Sequence, residues 1–189
     1  MPRAGLTTAR VVDAALELVD DDGLEGLTLT RLADAVGVKP PSLYKHVDGL
    51  AGLVELAAVA ATAQLADALR DAAVGRSGDD AIAALAQAYR GWVLANPQRY
   101  ALVPVAPPPV GTPLAAAGER IVAVVVAVLR SQDLDDDAAI HATRCLRAAV
   151  HGFTSLEAAG GFGLPVDLDQ TFDALVAMVL AGVHDLAGT

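Results

Sequence analysis

Cysteine and aromatic residues are scarce in this chain of 189 residues, which excludes an intrachain disulfide and a core built mainly from aromatic side chains. The single cysteine, Cys145, excludes an intrachain disulfide and fits a reducing, cytosolic environment. Aromatic residues make up only 4% of the chain, although 54% of it is hydrophobic. The core must therefore consist mainly of Ala, Val and Leu, a composition that points to closely packed helices.

Long hydrophobic runs are also missing. The most apolar run, residues 121–129, is too short to cross a bilayer, and residues 1–10 lack the apolar segment of a signal peptide. Basic residues are in the minority, because 13 Lys and Arg stand against 23 Asp and Glu, for a formal net charge of −10. We therefore expect a cytoplasmic protein without membrane contact, and overall charge does not by itself favour nucleic acid as a partner.

Catalytic and metal-binding constellations are not visible in the sequence. It contains no nucleophile elbow, no phosphate-binding loop and no paired carboxylates beside a base. His141, Cys145 and His151 fall on one predicted helix, but a metal site would need further ligands. Ordinary packing is the favoured interpretation of these three residues, with a metal site or a thiol sensor as minor alternatives. We predict no catalytic residue, no metal and no cofactor.

Helical periodicity is what the sequence has in abundance, without strand-like alternation or internal repeats. Apolar residues recur at helical spacing throughout, so the predicted fold class is all-α with about nine helices. Residues 121–129 are apolar on every face, which predicts a central helix packed on all sides. The nine predicted helices cover residues 7–22, 29–36, 40–46, 50–74, 80–95, 99–103, 112–130, 135–159 and 169–186.

Two of these helices are short and follow each other within residues 24–53. Thr28 is placed as the N-cap of the first, because its hydroxyl can accept a hydrogen bond from an amide of the first turn. Gly37 can adopt the left-handed conformation that ends this helix. Pro40 and Pro41 begin the second helix, since a first turn does not need the N–H that proline lacks. The pattern predicts a helix-turn-helix, whose second helix can lie in a DNA major groove.

This stretch resembles the N-terminal DNA-binding domain of TetR-type transcriptional regulators. The family pattern is Thr-hydrophobic-x-x-Ile-Ala, then Ala-Gly-Val, Leu-Tyr-x-His-Phe and Lys-x-x-Leu. Three positions depart from it: Lys39 replaces a capping serine, Val47 replaces phenylalanine, and Leu50 replaces a lysine that often contacts a phosphate. The positions in register are Thr28, Leu29, Leu32, Ala33, Val36, Gly37, Val38, Leu43, Tyr44, His46, Val47 and Leu53.

The resemblance implies a ligand-responsive, sequence-specific regulator, typically a repressor, that binds a palindromic operator in double-stranded DNA as a homodimer. It also implies a domain order, which we place at residues 5–55 for the helix-turn-helix domain, 56–79 for a connecting helix and linker, and 80–189 for a ligand-binding and dimerisation domain. The helix over residues 50–74 is long enough to transmit a shift from one domain to the other.

Short donors and cations near the helix-turn-helix are the expected DNA contacts, with a merely solvated helix face as the alternative. Residues 39–47 contain two lysines and a histidine but no acid, whereas Asp20, Asp21, Asp22 and Glu25 lie on a turn that could face away from DNA. Arg3 could reach a minor groove. The predicted DNA-binding residues are Thr28, Thr30, Arg31, Lys39, Pro40, Ser42, Tyr44, Lys45 and His46.

The C-terminal part holds most of the aromatic residues, which could line a cavity for an unknown small-molecule effector or simply belong to the core. The predicted ligand-binding residues are Tyr89, Trp92, Tyr100, Phe153 and Phe162. Residues 96–100 and 150–153 also resemble the ligand domain of a TetR branch named for a Trp-His-Gly triplet, although Val150 replaces the tryptophan. The effector itself is not inferable.

The last two helices suit a two-fold four-helix bundle between two copies of the chain, because Ala148, Ala149 and Gly152 permit close approach. The alternative is that their apolar stripes are used within the monomer. Two other functions also stay open. A helical ligand carrier with a protein partner would fit the acidic surface and Leu50, and would not bind random duplex DNA. A helical-bundle enzyme would need a catalytic constellation and measurable turnover.

Overall fold

The computed structural model describes residues 5–188, and the regular secondary structure of this range is helical, without strands. Its α-helices are α1 (Thr8–Asp22), α2 (Leu29–Val36), α3 (Gly49–Ala73), α4 (Gly78–Ala95), α5 (Pro97–Tyr100), α6 (Pro113–Leu129), α7 (Asp136–Ala158) and α8 (Leu168–Ala187). Three 3-10 helices cover Leu24–Gly26, Pro40–Lys45 and Arg130–Gln132. The all-α prediction is confirmed, and each of the nine predicted segments overlaps a helix, although of residues 99–103 only Arg99 and Tyr100 are helical.

Polar caps explain where several helices begin. Thr7, Thr28 and Asp135 precede α1, α2 and α7, and each side chain accepts a hydrogen bond from the backbone N–H three residues further on, at 3.2, 3.2 and 2.8 Å. Each cap pairs one of the amides that a first helical turn leaves without a partner. Gly37 ends α2 in the left-handed conformation, with φ +70°, as its position in the sequence predicts.

The chain forms two compact units, neither of which is continuous in sequence. Unit 1 comprises Met1–Gln64 and Asn96–Gly118, and unit 2 comprises Leu65–Ala95 and Glu119–Thr189. Residues 96–118 were predicted to belong to the domain at residues 80–189, but they are part of the same compact unit as the helix-turn-helix.

The core of unit 1 explains this grouping. It is built from α1, α2, the first half of α3 and Leu102, which is only 7% exposed. Next to Leu102, the Arg99 guanidinium donates to Asp20 of α1 at 2.9 Å and to the Gln64 side chain at 3.0 Å. The hydrogen bond that Arg99 donates to Asp20 raises the pKa of Arg99, so the charge of this partly buried group is well stabilised. The segment after α4 thus supplies both an apolar side chain and an ion pair to unit 1.

The core of unit 2 combines apolar packing with a buried charge. Phe172 of α8 is fully buried, and Arg90 of α4 lies over its ring at 4.9 Å from the centroid. The Arg90 guanidinium donates to Glu157 of α7 at 2.7 Å and pairs with Asp169 of α8 at 2.8 Å. The hydrogen bond with Glu157 holds the pKa of Arg90 above its ordinary value, although burial acts in the opposite direction. One guanidinium therefore links α4, α7 and α8.

Helix α6 differs from its prediction. Residues 121–129 were expected to be packed on all sides, but only Leu129 is buried, and Val122 is 50% exposed. The reason is that Ile121, Val122 and Val125 line a cavity of unit 2 instead of meeting a full layer of side chains. In α7 the buried stripe begins at Ala139, and the neighbouring Ile140 lies outside it and is 45% exposed.

Helix α3 is the one helix of residues 5–188 that is long and apolar enough to cross a membrane, by length and composition alone. Its side chains have other contacts, because Leu53, Ala57 and Ala61 are fully buried in the core of unit 1. Its apolar character is accounted for by packing in that core.

Candidate nucleic-acid interface

The recognition segment, defined here as residues 39–46, is held in place by one buried side chain. Leu43 is fully buried in the core of unit 1, and Val47, just after the segment, is 5% exposed. Since Leu43 points into the core, its neighbours Ser42, Tyr44 and Lys45 are exposed, and 62% of Tyr44 is accessible to solvent. Burial of Leu43 therefore determines which side chains of the recognition segment are accessible to a polyanion.

The recognition segment is a 3-10 helix rather than the α-helix that a helix-turn-helix predicts. Its backbone hydrogen bonds join residues three apart, from Ser42 N–H to Lys39 C=O at 2.9 Å and from His46 N–H to Leu43 C=O at 2.8 Å. Pro40 and Pro41 contribute no N–H, and Lys39 in the N-cap position has no side-chain acceptor for an amide. The local sequence thus favours a short, tight helix.

The cationic side chains of the recognition segment remain available. Within residues 5–188, neither Lys39 nor Lys45 forms an ion pair with a carboxylate, and both are exposed. His46 is half-buried, and its Nδ1 lies 3.2 Å from the Thr8 hydroxyl at the start of α1. Thr8 is thus brought to the same surface.

The start of α2 carries further predicted DNA contacts, but its polar groups are partly engaged. The Thr28 hydroxyl caps the helix, whereas Thr30 is exposed. Arg31 donates to the Gly26 carbonyl at 3.0 Å and forms an ion pair with Asp22. Asp22, one of the acidic residues that could face away from DNA, therefore contacts α2. A DNA contact by Arg31 requires exchange of this carboxylate partner for a phosphate.

Gly26 makes this Arg31–Asp22 arrangement possible. A Cβ atom at residue 26 would lie 2.4 Å from the Asp22 Cβ and 2.9 Å from Arg31 Nη1, distances that no ordinary contact permits. The remaining predicted contacts are Pro40, which is exposed, and Arg3, which lies outside the described residues. Leu50, in the position where the family pattern has lysine, is 43% exposed near the start of α3.

A second candidate site lies in unit 2, where a cleft of about 490 Å³, including its open mouth, has an almost wholly apolar wall. It is lined by Leu69 of α3, Leu85, Ala86 and Tyr89 of α4, Ile121, Val122 and Val125 of α6, and Thr143, Leu146, Arg147 and Val150 of α7. We call it the effector cavity.

Polar groups occur at one side of the effector cavity. The Tyr89 hydroxyl lies 3.4 Å from His151 Nδ1, and the Thr143 hydroxyl donates to the Ala139 carbonyl at 2.8 Å. Burial, and secondarily the positive charge of Arg147, lower the pKa of His151. His151 is therefore neutral at physiological pH, and Arg147 is the charged residue of this wall.

The five predicted ligand-binding aromatic residues do not share one site. Only Tyr89 lines the effector cavity. The Phe153 ring lies 4.8 Å from that of Phe162 and 5.1 Å from that of Phe172, centroid to centroid, so this group belongs to the unit 2 core. Tyr100 is part of unit 1, and Trp92, on α4, is half-buried but is not among the lining residues.

Comparison with known proteins identifies the family. Residues 11–57 match the family model described as bacterial regulatory proteins, tetR family, and residues 82–179 match that of the tetracyclin repressor-like C-terminal domain. Together these matches cover the recognition segment and most of the effector cavity. The chain belongs to the TetR family. It is a DNA-binding, helix-turn-helix transcriptional regulator, as the sequence pattern predicts, and its relatives are regulators rather than enzymes. The likeness to the Trp-His-Gly branch stays a prediction.

Relatives in the TetR family match over nearly the whole chain. The uncharacterized HTH-type transcriptional regulator YobS of Bacillus subtilis is 34% identical over 183 residues, which cover 96% of this chain and 95% of YobS. The uncharacterized HTH-type transcriptional regulator Rv0681 of Mycobacterium tuberculosis is 34% identical over 182 residues, which cover 96% of this chain and 83% of Rv0681. Both family domains are therefore present in the usual order.

Solved structures agree with the TetR fold. A protein of unknown function from Rhodococcus sp. RHA1 has a TM-score of 0.82 at 25% identity, with 96% of this chain and 97% of that chain covered. SCO7222, a TetR from Streptomyces coelicolor, has a TM-score of 0.79 at 23% identity, with 97% and 100% covered. The second likeness, at its low identity, is one of fold alone.

Most residues that line the effector cavity are aliphatic and were not predicted from the sequence. The effector cavity is lined chiefly by Leu, Ile and Val of α3, α4, α6 and α7, whose types are the same as those of core residues. One signal was available, because residues 121–129 carry more apolar side chains than a single buried stripe needs. In the described range no cluster of three or more His, Cys, Asp and Glu is arranged as a metal site, and Cys145 is exposed.

Proposed function

We propose that this TetR-family regulator is a cytoplasmic, ligand-responsive repressor that binds a palindromic operator as a homodimer. The observation that carries the DNA-binding part is the recognition segment, in which buried Leu43 leaves Ser42, Tyr44 and Lys45 exposed. Exposed cations without carboxylate partners can release counterions from DNA, and hydroxyl groups can donate to phosphates or base edges. We assign the DNA contacts to the recognition segment and to Thr28 and Thr30, with Arg31 dependent on release from Asp22.

Exposed apolar side chains on the last two helices support the homodimer. Apolar side chains of α7 and α8, such as Leu146 and Phe172, are buried within unit 2 itself. Outside these buried stripes the two helices still expose Ile140 (45%), Leu156 (52%) and Met178 (67%). Large exposed apolar side chains on neighbouring helices are typical of protein interfaces. We therefore assign dimerisation to these outer faces of α7 and α8, which would place two recognition segments about a dyad.

Ligand response is supported by the effector cavity and by the path of the chain. A structure of TetR-Q116A from Acinetobacter baumannii contains minocycline, with a TM-score of 0.73 at 21% identity to this chain over 98% of it, so small-molecule binding occurs on this fold. Here α3 and α4 both line the cavity; α3 begins in unit 1, and the chain re-enters unit 1 directly after α4 ends. A ligand that binds one arrangement of α3 and α4 better would shift the population of DNA-binding conformations.

The link from α4 into unit 1 is a specific one. Directly after α4, α5 carries Arg99, whose guanidinium holds Asp20 at the C-terminal end of α1. A displacement of the end of α4 would therefore be transmitted to α1, which in turn contacts the recognition segment through Thr8 and His46. This route complements the long helix α3.

The first test is binding of the purified protein to the duplex just upstream of its own reading frame, measured by fluorescence anisotropy at two salt concentrations against a scrambled duplex. We expect a preference for the upstream duplex that weakens with salt. Tyr44→Ala and Lys45→Ala should each weaken binding about tenfold, and Lys45→Ala should also reduce the salt dependence by about one phosphate contact.

Arg76→Ala is the matched control, because Arg76 is an exposed cation of unit 2, paired with Asp80. It should leave DNA affinity unchanged. Full affinity of both recognition-segment variants would refute the assigned interface. If no preference is found upstream, selection from a random duplex pool follows. Failure there at low salt would refute operator binding and favour the ligand carrier.

A further inference from the structure

The wall of the effector cavity has almost no polar surface, although three of its eleven residues carry polar groups. Those three, Tyr89, Thr143 and Arg147, therefore present mainly their carbon atoms to the cleft. Thr143 can do so because its hydroxyl donates to the Ala139 carbonyl of its own helix at 2.8 Å. A molecule inside the cleft accordingly meets hydrocarbon almost wherever it touches the wall.

The polar atoms of these wall residues also have partners inside the protein. The Tyr89 hydroxyl lies 3.4 Å from His151 Nδ1, and Arg147 has an interaction within the chain. A ligand could recruit either group only by breaking an existing contact, and a polar group that is buried without a partner is unfavourable. His151 adds no charge, because its lowered pKa keeps it neutral at physiological pH. The wall therefore offers a buried ligand neither a counter-ion nor a spare hydrogen-bond partner.

Helix α6 supplies the driving force for binding. Its residues 121–128 are all apolar, yet none of them is buried, and Ile121, Val122 and Val125 line the cleft. Incompletely buried aliphatic side chains are stabilised when an apolar molecule replaces the water beside them. A small apolar ligand would therefore complete a burial that the protein's own side chains leave unfinished.

We propose that the effector cavity selects an uncharged, apolar small molecule and holds it by apolar contact alone; this inference rests on the proposed ligand response. Charge of either sign and hydrogen-bonding groups lower the affinity of a ligand, because the wall gives them no partner in place of water. Apolar cavities lined by aliphatic and aromatic side chains bind hydrocarbons such as benzene, so hydrocarbons are suitable probes of this class.

Isoleucine provides one reporter at the cavity and two away from its wall. The chain contains three isoleucines. Ile121 lines the cleft, Ile82 is fully buried in the core of unit 2, and Ile140 is an exposed residue of α7 that does not line the cleft. With 13C-labelled δ1-methyl groups, an NMR spectrum contains one signal from each. An aromatic probe in the cleft should shift the Ile121 signal through its ring current and leave the Ile140 signal in place.

The probes are single rings that differ in one substituent: toluene, phenol, benzoate and benzylammonium. Each is titrated into the whole protein in the absence of DNA, and the Ile121 signal gives the dissociation constant. We expect toluene to bind about tenfold more tightly than phenol, because a hydroxyl that is buried without a partner loses its hydrogen bonds to water. Toluene should bind more than about a hundredfold more tightly than either ion.

Two polar substitutions on α6 locate the probe. Val122→Asn places an amide in the wall and should weaken toluene binding about tenfold. Ala123→Asn is the matched control, because Ala123 is an exposed neighbour that does not line the cleft, and it should leave toluene affinity unchanged. Thr143→Val removes a wall hydroxyl that the ligand does not use, so this variant should bind toluene as the wild type does. An unchanged Ile82 signal shows that the core of each variant is intact.

Three results would overturn the ligand class: no shift of the Ile121 signal with toluene, binding of benzoate or benzylammonium as tight as that of toluene, or undiminished toluene binding in Val122→Asn. A shift confined to Ile140 would place the probe outside the cavity and would refute the proposal too. Operator affinity is then measured with and without toluene. Toluene binding at Ile121 that leaves operator affinity unchanged would support the ligand class and refute ligand response, so the two proposals fail separately.

Discussion

The recognition segment of unit 1 and the core of unit 2 use cationic side chains in opposite ways. In the recognition segment, Lys39 and Lys45 are exposed and form no ion pair with a carboxylate within residues 5–188. In the core of unit 2, Arg90 is buried against the rings of Phe153 and Phe172 and pairs with Glu157 and Asp169. Solvated cations contribute little to folding but can bind a polyanion, whereas a buried cation must be matched by carboxylates and then links the elements that supply them.

The largest effect is expected from breaking the buried cluster. Arg90→Ala leaves Glu157, whose side chain is 11% exposed, without its cationic partner, and should lower the free energy of unfolding by about 3–5 kcal/mol. Trp92, the single tryptophan, lies in α4, so its fluorescence during denaturant unfolding follows unit 2. Arg76→Ala removes an exposed pair and should change stability by less than about 0.5 kcal/mol. If Arg90→Ala and Arg76→Ala lowered the free energy of unfolding equally, the proposed difference between buried and exposed cations would be refuted.

The next effect concerns the turn of unit 1. Gly37→Ala forces a Cβ onto a residue with φ +70° and should cost about 1–2 kcal/mol in thermal unfolding followed by circular dichroism. DNA affinity should fall as well, because the turn orients the recognition segment. Gly91→Ala is the counterpart in α4, where an added Cβ meets nothing within 4 Å, and it should be neutral or slightly stabilising. A stable Gly37→Ala variant with full DNA affinity would mean that this turn geometry is not required.

A smaller gain in stability is expected at Thr62 of α3. Its hydroxyl is fully buried in unit 1 and has no hydrogen-bond partner among the described residues. Thr62→Val keeps the shape and removes the unpaired group, so it should stabilise the protein by about 1 kcal/mol. Thr154→Val provides the contrast, because the buried Thr154 hydroxyl donates to the Val150 carbonyl, and this change should destabilise. Denaturant midpoints that move in the same direction for both would contradict the assignment.

The smallest effect is a pH dependence at the effector cavity. Because the pKa of His151 is lowered in the folded protein, the unfolded chain binds the proton more readily as pH falls below the ordinary histidine value. His151 should therefore destabilise the protein as pH falls below about 6.5. His151→Asn should show a shallower loss of stability between pH 7 and pH 5, measured as the difference from wild type by thermal unfolding. A parallel pH profile would show that His151 does not contribute.

The two units also differ in how much of their structure could be predicted from the sequence. Helix caps, the Gly37 turn and the exposed polar side chains of unit 1 follow from local rules, because the partners are a few residues apart. The 3-10 geometry of the recognition segment is less accessible to these rules, since Pro40 and Pro41 are compatible with the start of either helix type. Local sequence also could not reveal the Arg31–Asp22 pair, whose members are separated by a turn that only Gly26 allows.

Unit 2 depends on contacts between residues far apart in the chain, and its prediction was correspondingly poorer. The partners of Arg90 are 67 and 79 residues away, so nothing near α4 in sequence marks the arginine as buried. The sequence left open whether the aromatic residues line a cavity or belong to the core; Phe153 and Phe162 pack into the core, and aliphatic residues line the cleft. Leu and Val have the same local pattern whether they face a cavity or another side chain.

The return of residues 96–118 to unit 1 limits how this protein can be rearranged by recombination. Leu102 is an integral part of the hydrophobic core around the helix-turn-helix, and Arg99 completes an ion pair with α1. A chimera that joins the first 64 residues to a different effector-binding region would therefore leave a gap in that core and an orphan carboxylate at Asp20. A chimera that exchanges the effector-binding region, in evolution or in biosensor engineering, must therefore keep residues 96–118 together with the first 64 residues.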